Sequence, residues 1–279
     1  MVDYLLVIFF GSLLAGVLGA IAGLGGGVLV VPLLTIGLGV DIHYAIGASI
    51  VSVIATSSGA AAAYVRDRIT NLRIGMFLEL ATTTGAITGA LVAGLVNPQV
   101  LYIVFGLALA TSAAPLVVRL GEELPRGVHA DTWAKRLHLG GTYHDAVLQR
   151  PVLYQATRVP LGFGLMYLAG VISGLLGIGS GAFKVLAMDT AMKLPMKVST
   201  TTSNFMIGVT AAASAGIYFG RGDVNPLIAA PVALGVLSGA FLGTRLLVRL
   251  RSTTLRKIFV PLVLAIALEM ILRGLGVQV

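Results

Sequence analysis

The chain contains no cysteine, so neither disulfides nor thiolate chemistry enters its description. Charged residues are scarce at 11%, against roughly 25% in an ordinary soluble domain. There is no Gly-x4-Gly-Lys-Ser/Thr run to cradle a nucleotide and no His-Glu-x-x-His of a metalloprotease. Histidines and acids gather only between residues 119 and 156, as His129, Asp131, His138, His144 and Asp145, at spacings that match no established metal site. Beyond those histidines no acid–base pair suggests an enzyme. Neither a metal nor a cofactor is expected.

What the chain does have is apolar length. Hydrophobic residues make up 57% of it, mean hydropathy is positive, and no soluble domain of any size is left over. Eight long apolar runs lie near 4–23, 43–65, 72–95, 98–118, 157–177, 196–219, 226–248 and 255–273. They are about 20 residues long and lack strict alternation, so an all-α polytopic membrane protein is expected rather than a barrel. The first run lacks a basic n-region and reads as part of the fold, not as a signal peptide. Thirty-six glycines suit close helix packing, as in Gly85-x-x-x-Gly89 and Gly235-x-x-x-Gly239-x-x-x-Gly243.

The chain is also duplicated. A constant offset of 154 aligns the halves without a gap from about residue 15 to residue 119. Gly23, Gly25 and Gly27 match Gly177, Gly179 and Gly181; Ser49 matches Ser203, Tyr64 matches Tyr218, and Asn71 matches Asn225. One register held over a hundred residues makes repeat 1 of residues 1–119 and repeat 2 of residues 157–279, joined by a polar linker, 120–156. Basic residues distinguish the copies. Arg66, Arg68 and Arg73 lie in a turn whose counterpart holds only Arg221 beside Asp223. The turn at 96–100 has no basic residue, whereas its counterpart carries Arg245, Arg249, Arg251, Arg256 and Lys257. Cytoplasmic loops collect Lys and Arg, so equivalent loops are expected on opposite sides, as in an inverted repeat. Sixteen basic residues then face the cytoplasm, with the linker, and both termini are external. Trp133, Lys135, Arg136 and His138 suit a helix at the membrane surface, although a solvated loop fits the linker better.

Each copy holds a glycine knot, Gly23-Leu24-Gly25-Gly26-Gly27 and Gly177-Ile178-Gly179-Ser180-Gly181, between a long apolar run and a short one. Each knot reads as a break in a helix pair, with three transmembrane helices following it. Inversion requires the pair to begin and end on one side, as two crossings or as a re-entrant hairpin. Broken helices free backbone N–H groups, which attract anions, and inverted-repeat carriers hold substrate at such breaks. The candidate substrate residues are therefore Gly25, Gly26, Gly27, Gly179, Ser180 and Gly181, unless these glycines serve packing alone. Ser49, Ser52 and Thr56 share one helical face, as do Ser203, Thr210 and Ser214. Ser49, Ser52, Thr201, Ser203 and Asn204 join the candidates. The competing reading for hydroxyls is a bond to their own helix's carbonyls. Lys184, one turn beyond the second knot where copy one has Val30, is the sharpest candidate. It would otherwise pair with Asp189 or snorkel to the surface. Glu79 is the other intramembrane charge, a candidate for proton coupling unless it reaches Arg73 or the interface.

The pattern Gly23-Leu-Gly-Gly-Gly-x4-Pro32, then Ala45-Ile-Gly-x-Ser49, repeated in a diverged second half, resembles the TauE/SafE family of sulfite and organosulfonate exporters. The resemblance covers nearly the whole chain outside the linker. It implies a multi-pass secondary transporter of the bacterial cytoplasmic membrane that exports sulfur oxyanions such as sulfite or sulfoacetate. Copy two departs from the motif with Ser180, Leu186 in place of Pro32, and Lys184. The partners expected are a small anionic substrate and membrane lipid, not nucleic acid; a homodimer is compatible with the sequence. An anion channel of the same fold is the alternative.

Overall fold

A computed structural model describes residues 2–22, 27–66, 70–118, 127–145, 149–247 and 252–277. Helices dominate it. In copy one they are α1 (Val2–Ala22), α2 (Gly27–Pro32, continued by a π-helical turn, Leu33–Gly37), α3 (Ile42–Arg66), α4 (Leu72–Ala93) and α5 (Pro98–Val118). The linker supplies α6 (Thr132–Arg136) and an antiparallel hairpin of β1 (Gly141–Asp145) and β2 (Arg150–Tyr154). Copy two holds α7 (Val159–Leu176), α8 (Gly181–Leu186, continued by a π-helical turn, Ala187–Ala191), α9 (Met196–Arg221), α10 (Pro226–Leu247) and α11 (Ser252–Gly274).

The duplication is written in these boundaries. α2 and α8, their π-helical turns, and α4 and α10 begin and end at positions 154 apart. Even the exit from the turn repeats: Val40 N–H donates to the Leu34 carbonyl at 2.9 Å, and Leu194 N–H to that of Met188 at 3.1 Å. The copies interlock, with α1 packed along α10, α4 along α7, α3 against α9 and α5 against α11. Exchanging the copies leaves this set of contacts unchanged, as a pseudo-two-fold axis requires.

Glycine permits the two tightest crossings. At Gly85 and Gly89 an added Cβ would strike the backbone of Tyr167 and Val171 on α7; at Gly235 and Gly239 it would strike Phe9 and Leu13 on α1. The outward faces carry Phe10, Leu14, Met76, Leu80, Leu168, Leu234 and Phe241, all exposed. Such an apolar exterior suits lipid, not water. Among the described residues, Leu72–Ala93, Val159–Leu176 and Pro226–Gly243 are long and apolar enough to cross a membrane, and shorter apolar helices include Ile42–Ser57 and Gly27–Gly37. Eleven residues of helix over Gly27–Gly37 reach about 16 Å at 1.5 Å per residue, half of a hydrocarbon core of about 30 Å.

The linker is more ordered than a solvated loop. Asp131 caps α6 by accepting from Ala134 N–H at 2.7 Å, and its other oxygen accepts from Val159 N–H at the start of α7 at 2.8 Å. The five-residue helix ends before His138, whose φ of 51° is left-handed. Ala134, Leu139, Tyr143 and Tyr154 are buried with Ile74, Leu78, Met188, Met192 and Val198 in one apolar cluster. Asn71 caps α4 with its carbonyl oxygen and donates from Nδ2 to the Tyr154 hydroxyl at 2.8 Å. Burial pushes the Tyr154 phenol up from its ordinary pKa, against the pull of that hydrogen bond. Arg73 donates to the His138 carbonyl at 3.1 Å. The linker thus sits on one pole of the helices, over the start of α4 and the end of the α8 segment.

Candidate functional site

The break between α7 and α8 is made by three left-handed residues, Gly177 (φ 66°), Gly179 (φ 71°) and Ser180 (φ 45°). Glycine adopts such values freely, whereas Ser180 does so at a cost. The chain reverses into α8, and one turn later Lys184 points inward with no exposed surface. Its amide donates to the Ser180 carbonyl at 3.1 Å. Tyr218 of α9, also fully buried, donates from its hydroxyl to the Gly174 and Leu175 carbonyls at 2.8 and 3.1 Å, pinning the last turn of α7.

Lys184 does not snorkel. Its ammonium donates to Thr210 Oγ1 on α9 at 2.6 Å, and Thr210 Oγ1 lies 2.7 Å from Glu79 Oε1 on α4. The threonine hydroxyl has one proton, shared between Glu79 and the Met206 carbonyl at 2.9 Å. Glu79 Oε1 also accepts from Thr83 at 3.0 Å, whereas the buried Oε2 has no hydrogen-bond partner. Thr82 approaches Thr210 at 3.4 Å. An ammonium and a carboxylate are therefore bridged by one hydroxyl in a buried setting. Arg73, which Glu79 was expected to reach, is engaged by the linker instead.

Most candidate hydroxyls bond backbone. Ser49 donates to the Gly27 carbonyl at 3.0 Å and to that of Gly177 at 2.8 Å, joining the two breaks. Ser203 donates to the Gly181 carbonyl at 3.1 Å. Ser52, Thr56 and Thr201 turn back to carbonyls of their own helices. Thr202 accepts from Asn71 N–H at 3.2 Å, tying α9 to α4. The exception is Ser180, whose hydroxyl is buried without a partner, as is that of Ser199 in the first turn of α9. Asn204 is half-buried on α9. Gly179 and Gly181 pack under Ile207. Gly25 and Gly26 lie outside the described residues, as do the side chains of His144 and Asp145.

Reading the sequence singled out Lys184 and Glu79 separately but did not join them, and placed Thr210 only by its helical face. The one available signal was that an isolated ammonium and an isolated carboxylate within apolar helices each need a partner.

A helical protein with a lipid-facing exterior, a duplicated broken helix and a charge pair sealed between the copies belongs with membrane transporters, not with enzymes. Residues 8–270 match the family model described as "Sulfite exporter TauE/SafE". The chain belongs to the TauE/SafE family. It is 26% identical over 271 residues to the probable membrane transporter protein YunE of Bacillus subtilis, covering 95% of this chain and 96% of that protein. A probable membrane transporter protein of Xylella fastidiosa (strain Temecula1) is 28% identical over 267 residues, covering 95% and 93%. YdhB of B. subtilis, likewise a probable membrane transporter protein, is 27% identical over 243 residues, covering 86% and 88%. No solved structure matches the chain.

Proposed function

We propose that this transporter is a secondary carrier that exports a sulfur oxyanion, such as sulfite, sulfoacetate or a related organosulfonate, across the bacterial cytoplasmic membrane. The observation that carries the reading is Lys184, a cation with no exposed surface one turn after a helix break whose Ser180 hydroxyl is buried without a partner. An ammonium in a membrane interior marks a functional site by default. Tetrahedral oxygens would take its free donors, the Ser180 hydroxyl, Asn204 and the backbone of Gly179 and Gly181, with Gly25, Gly26 and Gly27 contributing from the other knot. Ser49, Ser52, Thr201 and Ser203 hold backbone instead, so they support this site through the helices they fix.

The two copies, inverted about an axis in the membrane plane, would rock to expose this site to either side. The linker lies on the cytoplasmic side in this arrangement, and both termini outside. Full burial of Lys184 favours a carrier over a channel, because an open pore would leave the charge wet. Where the anion moves without a compensating proton, an inside-negative potential favours its export by about 2.3 kcal/mol per charge per 100 mV.

The test is counterflow in proteoliposomes preloaded with sulfite or sulfoacetate, with sulfate, acetate and taurine as competitors. Saturable counterflow is expected in the wild type and its loss in Lys184→Ala, with Lys184→Ala/Glu79→Gln as a charge-balanced control. Counterflow surviving in both variants would remove Lys184 from the site. Linear, non-saturating flux would indicate a channel.

A further inference from the structure

The bridge between Lys184 and Glu79 has a consequence for how an anion binds. Substrate anion and Glu79 carboxylate seek the same cation, and the site as seen holds the carboxylate. We propose that Glu79 is a tethered stand-in for the substrate, displaced from Lys184 when an anion arrives and then neutralised by one proton. This rests on the reading of Lys184 as part of the anion site.

Glu79 holds Lys184 through the Thr210 hydroxyl, at 2.6 and 2.7 Å, not by direct contact. Such a hold is weaker than a direct ion pair and can be exchanged by moving one threonine rotor. An ammonium has three donors, and among the described residues Thr210 is the partner its Nζ meets. Glu79 in turn has an oxygen, Oε2, buried without a partner and ready to carry a proton. Charge balance drives the exchange. Before binding, one positive and one negative group sum to zero. A monovalent anion on Lys184 would leave Glu79 as an unpaired buried carboxylate, which is costly in a medium of low dielectric. A proton from the water that admits the anion converts that carboxylate to a neutral acid, and the site is again uncharged. The site can then change sides without carrying net charge.

Other titratable groups on the packed elements do not intervene. Tyr167 of α7 is exposed and donates to Thr88. On α9, Lys197 lies in the first turn, while Tyr218 and Arg221 lie at the far end, bonded to α7 and to Asp223 and Ala90. Asp189 is in the π-helical turn after α8. On α4 itself, Arg73 is bonded to the linker.

The test is titration calorimetry of the full-length protein in nanodiscs with methanesulfonate, a permanent monoanion, in two buffers of different ionisation enthalpy. Sulfite and sulfoacetate serve as parallel probes. About one proton should be taken up per methanesulfonate by the wild type at pH 7, with affinity falling as the pH rises. Glu79→Gln, which keeps the shape and loses the charge, should take up about one proton fewer per anion than the wild type at pH 7 and show a weaker dependence on pH. The wild-type proton count needs no variant, so it stands even if Glu79→Gln folds poorly. Binding by the wild type with no proton uptake would overturn the proposal and leave the anion site intact. Binding of none of the three anions to the wild type would sink the anion site, and the proposal with it.

Discussion

The two copies of the broken helix share a backbone and differ in charge. In copy two, Lys184 on α8, Thr210 on α9 and Glu79 on α4 form a bridge from ammonium to carboxylate. The positions 154 residues away are Val30, Thr56 and Ala233. Both threonines survive, and both donate to the carbonyl one turn earlier, Met206 for Thr210 and Ser52 for Thr56. Only one of them lies between charges. The duplicated fold thus supplies two equivalent cradles, and a few substitutions turn one of them into a polar centre while the other stays apolar. A substrate site at one break needs no matching site at the other.

The largest effect should come from breaking the charged copy at its cation. Lys184→Met leaves Glu79 buried beside an apolar chain, a change that costs about 3–5 kcal/mol when one member of a buried pair is removed. Thermal unfolding in detergent should register it, and counterflow should vanish. Val30→Met, at the matching position, should cost no more than about 1.5 kcal/mol for a hydrophobic swap. Lys184→Met/Glu79→Gln should recover most of the stability without recovering transport. Equal losses at both positions would mean that the charges are incidental to what α8 does.

A sharper comparison uses the residue the copies have in common. Thr210→Val keeps the shape but removes the hydroxyl that serves an ammonium and a carboxylate together, at a cost of about 1–3 kcal/mol for the buried groups left unpaired. Thr56→Val removes a bond to its own helix, and membrane hydrogen bonds of this kind average only about 0.6 kcal/mol. Unfolding midpoints should therefore fall clearly for Thr210→Val and barely for Thr56→Val, with counterflow reduced in the first alone. A similar shift in both would place the value of Thr210 in its helix rather than in the bridge.

Much of this architecture was legible because glycine and repetition leave marks in sequence. The knots at Gly23–Gly27 and Gly177–Gly181 recur in register, and the element boundaries follow the same register. Lys184 and Glu79 stood out as charges among apolar residues. Their union did not, since they lie in different copies and only the packing of α4 against α9 brings them together. The hydroxyls were ambiguous for a different reason. Ser49, Ser52 and Thr56 share a face whether they bind a ligand or the backbone, so helical spacing cannot distinguish the two uses. The linker hid its order because its strands are short and one contains Pro151, a residue that argues against a strand. Its five-residue helix is also too short to show a period.

The smallest expected difference concerns Ser49 and Ser203, which occupy equivalent positions and both donate to the carbonyl of the first residue of the preceding short helix in their own copy, Gly27 and Gly181. Ser49 alone has a second acceptor, the Gly177 carbonyl at the break in the other copy. One proton shared between two carbonyls makes each bond weaker than a single good one, so the extra contact contributes only part of the usual 0.5–1.5 kcal/mol, roughly half of it. Ser49→Ala should lower the unfolding midpoint slightly more than Ser203→Ala. The difference should shrink in a protein whose second break has been loosened, for example by Tyr218→Phe, which frees the end of α7. If the copies rock against each other during transport, the Gly27 and Gly177 carbonyls move apart, and Ser49 must release one of them. The alanine variant, having nothing to release, would then exchange anion at least as fast as the wild type despite its lower stability. Slower exchange with unchanged stability would instead make Ser49 a ligand of the anion.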